Sequence, residues 1–117
     1  MKSNQIHIDF KLNGESFSSI EALLTHSKTL PVSIKEFLTN WFSKNDFLEV
    51  STSGSTGKPK LIKLKKEFMI NSAIATGSYL NLPEKTTALL CMSTDFIAGK
   101  MMLVRALVLG WELDVVL

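Results

Sequence analysis

The chain holds a single cysteine, Cys91, so no disulfide forms within it, a pattern that fits a reducing compartment. Its two histidines, His7 and His26, lie far apart with no cysteine at ligand spacing, which argues against a metal site and reads them as surface residues. Long apolar runs are lacking too. The most apolar stretch, residues 97–109, contains Lys100 and Arg105 and falls short of the roughly 20 residues that span a bilayer. The opening residues, MKSNQIHIDF, have no apolar core of the signal-peptide kind. No repeat or low-complexity tract occurs, and a net charge of +2 is too weak to mark a nucleic-acid protein. These absences leave a soluble, cytoplasmic protein as the expectation. Apolar residues make up 45% of the 117, enough for a core in one small domain or in part of a larger one.

Ile6, Ile8, Phe10 and Leu12 alternate with polar residues and predict a half-buried strand. Asn13-Gly14 then offers a tight turn, giving a small hairpin through Phe17. Ser18 or Ser19 would cap a short helix carrying Ile20, Leu23 and Leu24, with Pro31 marking its end. Ser33 and Glu36 have the spacing of a capping box, and Ile34, Phe37, Leu38, Trp41 and Phe42 follow on one apolar helical face. Residues 47–53 and 61–64 read as strands flanking a polar loop. A helix over 66–80 would turn Phe68, Met69, Ser72, Ala73, Thr76 and Tyr79 to one side. Residues 87–92 read as a strand buried on both faces, 97–109 as a helix stopped by Gly110, and 111–117 as a strand. The order strand, helix, strand, helix, strand implies an α/β sheet with helical crossovers. The last residues lie inside an apolar strand, so the chain is expected to be a fragment of a longer one.

The chemistry concentrates in STSGSTGKPK, residues 51–60. Gly54 and Gly57 carry no Cβ, which lets the backbone bend and lets a ligand approach its amides. Thr52, Ser53, Ser55 and Thr56 supply hydroxyls, and Pro59 stiffens the exit. From Val50 to Lys66 there is no carboxylate, while Lys58, Lys60, Lys63, Lys65 and Lys66 add positive charge. Such a stretch suits a polyanion such as phosphate, where each charge-assisted hydrogen bond contributes about 1.5–3 kcal/mol. The residues alone leave open a plain hairpin tip with solvated lysines. A Walker loop does not fit, because Thr52 stands where its first glycine belongs, Pro59 follows Lys58, and a strand rather than a helix leaves the loop.

TSGSTGKPK, residues 52–60, resembles the phosphate loop of the adenylate-forming enzymes, the acyl- and aryl-CoA ligases, luciferases and peptide-synthetase adenylation domains. DFIAGKMMLVRALVLGWELDVVL, residues 95–117, resembles that family's next block, with wording nearest its o-succinylbenzoate–CoA ligase branch in menaquinone synthesis. Glu49 and Leu61 depart from the family pattern, and Phe96 stands where histidine is common. The resemblance implies an α/β fold that is the N-terminal part of the large subdomain of such an enzyme. Residues 1–46 would form a hairpin and helices, and 47–117 the start of the AMP-binding region, cut short at its C-terminal end. It implies ATP and Mg²⁺ as cofactors, with the magnesium ligand outside this stretch, and CoA as co-substrate. A carboxylate would attack the α-phosphate, releasing pyrophosphate, and the CoA thiol would then displace AMP. Thr52, Ser53, Gly54, Ser55, Thr56, Gly57 and Lys60 would hold the β- and γ-phosphates, steadying charge on the leaving pyrophosphate. Phe96, Ile97 and Gly99 would line the acid's site. The partners implied are a small carboxylic acid, ATP and CoA, with no nucleic acid and no membrane; homo-oligomer formation stays open, as does the catalytic residue. The stretch alone would be inactive.

Cys91 reads as an inert core residue in a buried strand, and Arg105 as a solvated helix charge. Asp95 would either line a ligand crevice or cap the following helix. A rival reading is a non-catalytic module whose lysine-rich hairpin binds polyanions such as RNA. Residues 51–66 hold no aromatic ring on which bases could stack, which counts against it.

Overall fold

A computed structural model describes residues 3–51, 58 and 60–116. Its elements run β1 (Lys11–Leu12), α1 (Ile20–Ser27), α2 (Val32–Trp41), β2 (Phe47–Ser51), β3 (Leu61–Lys65), α3 (Lys66–Tyr79), β4 (Thr87–Leu90), α4 (Ile97–Leu109) and β5 (Glu112–Val115). The α/β expectation holds. Strands β4 and β5 are parallel neighbours joined through α4, and β1 adds to the other side of β5, giving the order β1-β5-β4. The sheet is not continuous, however. Strands β2 and β3 form a separate antiparallel hairpin, with Phe47 opposite Lys65 and Ser51 opposite Leu61.

Helix α4 holds the two layers together because it is apolar almost all round. Leu103, Val104, Ala106 and Leu107 are fully buried, and the helix packs on α3 as well as on β4 and β5. It ends where expected: Gly110 takes φ 76°, and its N–H donates to the Ala106 carbonyl at 3.0 Å. The inner face of α3 is Lys66, Met69, Ile70, Ala73 and Gly77. This corrects the sequence reading, since Phe68 is 60% and Tyr79 89% exposed. Small residues decide the face here. Ala73 and Gly77 let α4 come close, and Gly77 lies directly under the Leu109 side chain.

The N-terminal strand is shorter than the alternation suggested. Ile8 is 91% exposed although Phe10 is buried. Local hydrogen bonds explain it: His7 Nδ1 accepts from Asp9 N–H and the His7 carbonyl accepts from Phe10 N–H, each at 3.0 Å, coiling residues 7–10 into a turn. The Asn13-Gly14 turn forms as expected, with φ of 51° and 82° and reciprocal bonds between Leu12 and Glu15. The ladder stops at that single pair.

Ser19 caps α1, its Oγ accepting from Ala22 N–H at 3.1 Å. The capping box at Ser33 and Glu36 does not form. Pro31 precedes the first turn of α2, no side chain caps it, and Ser33 is already inside the helix. The apolar face of α2 is as read, with Ile34, Phe37, Leu38 and Trp41 buried. Strand β4 is covered on one side only: Leu90 is buried, Leu89 is 57% exposed, and Cys91 is exposed rather than in the core.

Candidate functional site

Strand β2 delivers the chain to the glycine- and hydroxyl-rich loop. Thr52, Ser53, Gly54, Ser55, Thr56 and Gly57, six of the loop's seven expected phosphate contacts, lie outside the described residues. The seventh, Lys60, is exposed immediately before β3, and Lys58 is exposed as well. The other lysines of the stretch meet different neighbours. Lys63 Nζ sits 4.7 Å from the centre of the Phe47 ring and Lys65 Nζ 5.6 Å from that of Phe68. Lys66 turns inward. Only 2% exposed, it donates to the Ser43 carbonyl at 3.1 Å and to Ser43 Oγ at 3.3 Å. Burial lowers its pKa from the ordinary lysine value, with the nearby Asp46 carboxylate opposing the shift. Of the positive cluster expected at the loop, Lys66 is drawn inward, while Lys58, Lys60, Lys63 and Lys65 stay exposed.

At the last residue of β2, Ser51 pairs in parallel with Phe96. This bridge brings together the two stretches that the sequence singled out: the loop entrance and the turn leading into α4. Phe96 is half-exposed and precedes α4, Ile97 is half-buried, and Gly99 is buried. Gly99 serves packing, since a Cβ there would lie 2.1 Å from the Ser93 carbonyl oxygen. Asp95 does not cap α4, for no side chain does. It closes a small turn instead, with its N–H donating to Ser93 Oγ at 3.1 Å and Ser93 Oγ donating back to its carboxylate at 3.3 Å.

Sequence reasoning passed over Thr94 and gave Ser33 and Lys100 no part in the site. Thr94 is buried, and its hydroxyl donates to Ser33 Oγ on α2 at 2.7 Å. Lys100 Nζ donates to the Thr94 carbonyl at 2.5 Å, and burial lowers its pKa while Asp95 and Glu36 resist. Two openings flank this turn. One, of about 200 Å³, lies at the carboxyl ends of β4 and β5 between Leu90, Met92, Thr94 and Val116, where parallel α/β sheets receive ligands. The other, of about 160 Å³, is polar and lies between α2, β2 and Lys100. Arg105 is partly buried, its Nη1 3.6 Å from Met102 Sδ, rather than freely solvated. Among the described residues no cluster of histidine, cysteine and carboxylates could hold a metal ion, and no helix is long and apolar enough to cross a membrane.

The parallel β–α–β unit, with the end of β2 bridged to the residue before its helix, matches a portion of the adenylate-forming enzyme fold. No family model and no curated protein matches the chain. Solved structures do. An acyl-CoA synthetase (AMP-forming)/AMP-acid ligase II-like protein from Dyadobacter fermentans is 37% identical over 79% of this chain, with a TM-score of 0.68. O-succinylbenzoate coenzyme A synthetase from Bacillus subtilis, in complex with AMP, is 25% identical over 58% of the chain, with a TM-score of 0.52. The same enzyme with ATP and a magnesium ion matches 89% of the chain at 16% identity and a TM-score of 0.54, a likeness of fold alone. The likeness supports the AMP-forming acyl-CoA synthetase superfamily. The chain spans 28% of the length of the Dyadobacter protein, and the Bacillus match with AMP takes in 14% of that enzyme.

Proposed function

We propose that this chain is part of an ATP-dependent acid–CoA ligase, and that residues 52–60 hold the triphosphate while the turn at 93–97 faces the acid. The observation that carries the reading is the Ser51–Phe96 bridge, which fixes the mouth of the loop against the start of α4. In this reading an acid's carboxylate oxygen attacks the α-phosphorus of ATP, breaking the bond to the β-phosphate bridge and releasing pyrophosphate. The thiol of CoA then takes the acyl group and frees AMP. Ser55, Thr56 and Lys60 make the direct phosphate contacts, and Gly54 and Gly57 give the loop its shape. The charge that grows on the leaving pyrophosphate favours donors held in place beforehand. Magnesium is held by residues outside this stretch, and the ligase works in the cytoplasm.

The acid is o-succinylbenzoate in this reading, supported by the wording of residues 95–117 and by the likeness to the Bacillus synthetase. Another aryl or fatty acid is the alternative. By itself the stretch is expected to bind ATP weakly and to form no CoA ester. The test uses the complete ligase polypeptide and follows acid-dependent pyrophosphate release. Thr56→Val with Lys60→Ala should slow it by about a hundredfold, in the range seen when oriented donors are removed from a developing charge. Unchanged release in a folded double variant refutes the role of the loop. A panel of carboxylic acids identifies the substrate.

A further inference from the structure

The turn that carries Phe96 is held from three directions. From α2, Ser33 Oγ accepts the buried Thr94 hydroxyl at 2.7 Å. From α4, Lys100 Nζ donates to the Thr94 carbonyl at 2.5 Å, and Lys100 N–H donates to the Phe96 carbonyl at 3.1 Å. From β2, Ser51 pairs with Phe96 itself. The lysine is unusual in this company. Most of α4 is apolar, yet its fourth residue spends a long cationic side chain on one backbone carbonyl. The carboxylates of Glu36, Glu49 and Asp95 line the same small opening, so the ammonium has counter-charge around it while it is bound to the turn. That negative lining also makes the opening a poor place for the acid substrate.

We propose that Lys100 is a positioning residue: through the Thr94 carbonyl, and with Ser33 holding the Thr94 hydroxyl, it sets the 93–96 turn at the height where Phe96 meets Ser51. The inference rests on the ligase reading for its consequence and on geometry for its cause. A shift of the turn moves the side of the site that faces the acid, while Ser51 at the loop entrance keeps its own pairing with Leu61 in the hairpin. Misplacement by about 1 Å in such a site costs up to about a hundredfold, so the acid's KM is the quantity to read.

The test compares Lys100→Met, Lys100→Arg and Ser33→Ala in the complete ligase polypeptide, by hydrogen exchange and by steady-state kinetics of adenylation. Lys100→Met should raise exchange at the amides of Asp95 and Phe96 by about tenfold or more and leave the interior of α4 unchanged. It should raise KM for the acid by about tenfold with KM for ATP within about twofold. Ser33→Ala should do the same to a smaller degree, and Lys100→Arg, which still reaches the carbonyl, should restore most of the wild-type behaviour. Unaltered exchange in a folded Lys100→Met protein overturns the proposal, and so does an equal rise in both KM values. If wild-type protein adenylates no acid, the ligase reading falls and takes the kinetic consequence with it. The exchange measurement then still distinguishes a wrong clamp from a wrong reaction.

Discussion

Gly99 and Ser93 approach each other so closely that a Cβ on the glycine would lie 2.1 Å from the Ser93 carbonyl oxygen and 2.5 Å from its carbon. The obstacle is main chain and has no rotamer to escape into. Gly99→Ala must therefore push the 93–96 turn away from α4 or shift the helix. Overpacking of this kind costs about 1–3 kcal/mol. Urea denaturation should show that loss, while Ala98→Ser, at an exposed neighbour on the same helix, should stay within about 0.5 kcal/mol. Equal stability of Gly99→Ala and wild type would mean that the turn yields freely.

Lys66 makes stability depend on pH in a defined direction. Burial lowers its pKa from 10.5 despite the nearby Asp46, so the folded chain releases this proton at a lower pH than the unfolded chain does. Between the lowered value and 10.5 the unfolded state binds more protons, and stability must rise with pH across that window. Below the window both states are protonated and the dependence vanishes. Lys100, shifted in the same direction, adds to the same slope. Thermal unfolding of Lys66→Met across that pH range should show a shallower rise than wild type, the difference being this side chain's part. Identical slopes would mean that the ammonium is not desolvated by folding.

The alternation of Ile6, Ile8, Phe10 and Leu12 treats those residues as equals, and the structure separates them. Phe10 is 1% exposed and Ile8 91%. Phe10→Ala should cost about 3–5 kcal/mol, as buried aromatics do. Ile8→Ala should fall within about 0.5 kcal/mol of wild type. Chemical denaturation decides between this and the full strand, which would make both changes costly.

That contrast shows what a sequence encodes locally and what it does not. Helix α4, its stop at Gly110 and the paired strands β2 and β3 were legible because an apolar run, a left-handed glycine and a polar loop are properties of neighbouring residues. The inner face of α3 was not. It is chosen by how close α4 can come, and the small residues Ala73 and Gly77 carry no hydrophobic signal of their own. Likewise Lys66 read as one more loop charge, because nothing in its sequence neighbourhood announces the Ser43 carbonyl twenty-three positions earlier. At the candidate site the loop motif was plain, whereas Lys100 and Thr94 became visible only once the turn was folded back on the helix.

Ser33 is the sharpest case, because the sequence motif and the fold give it different partners. A capping box would couple it to Glu36, whereas the folded chain couples it to Thr94 across 2.7 Å, with Pro31 starting the helix instead. A double-mutant cycle separates the two, since it reports the pair that interacts rather than the cost of each change. Ser33→Ala combined with Thr94→Val should show a coupling energy of about 0.5–3 kcal/mol, the range for residues sharing a hydrogen bond. Ser33→Ala combined with Glu36→Ala should be additive within about 0.5 kcal/mol. Ser33→Ala is the more costly single change on this account, because it leaves the buried Thr94 hydroxyl without its acceptor at a penalty of about 1–3 kcal/mol, whereas Thr94→Val removes that hydroxyl and leaves only the half-buried Ser33. The double variant should therefore be less destabilised than the sum of the two single changes. Additivity for Ser33 and Thr94, with coupling for Ser33 and Glu36, would return the helix start to Ser33 and detach the turn from α2.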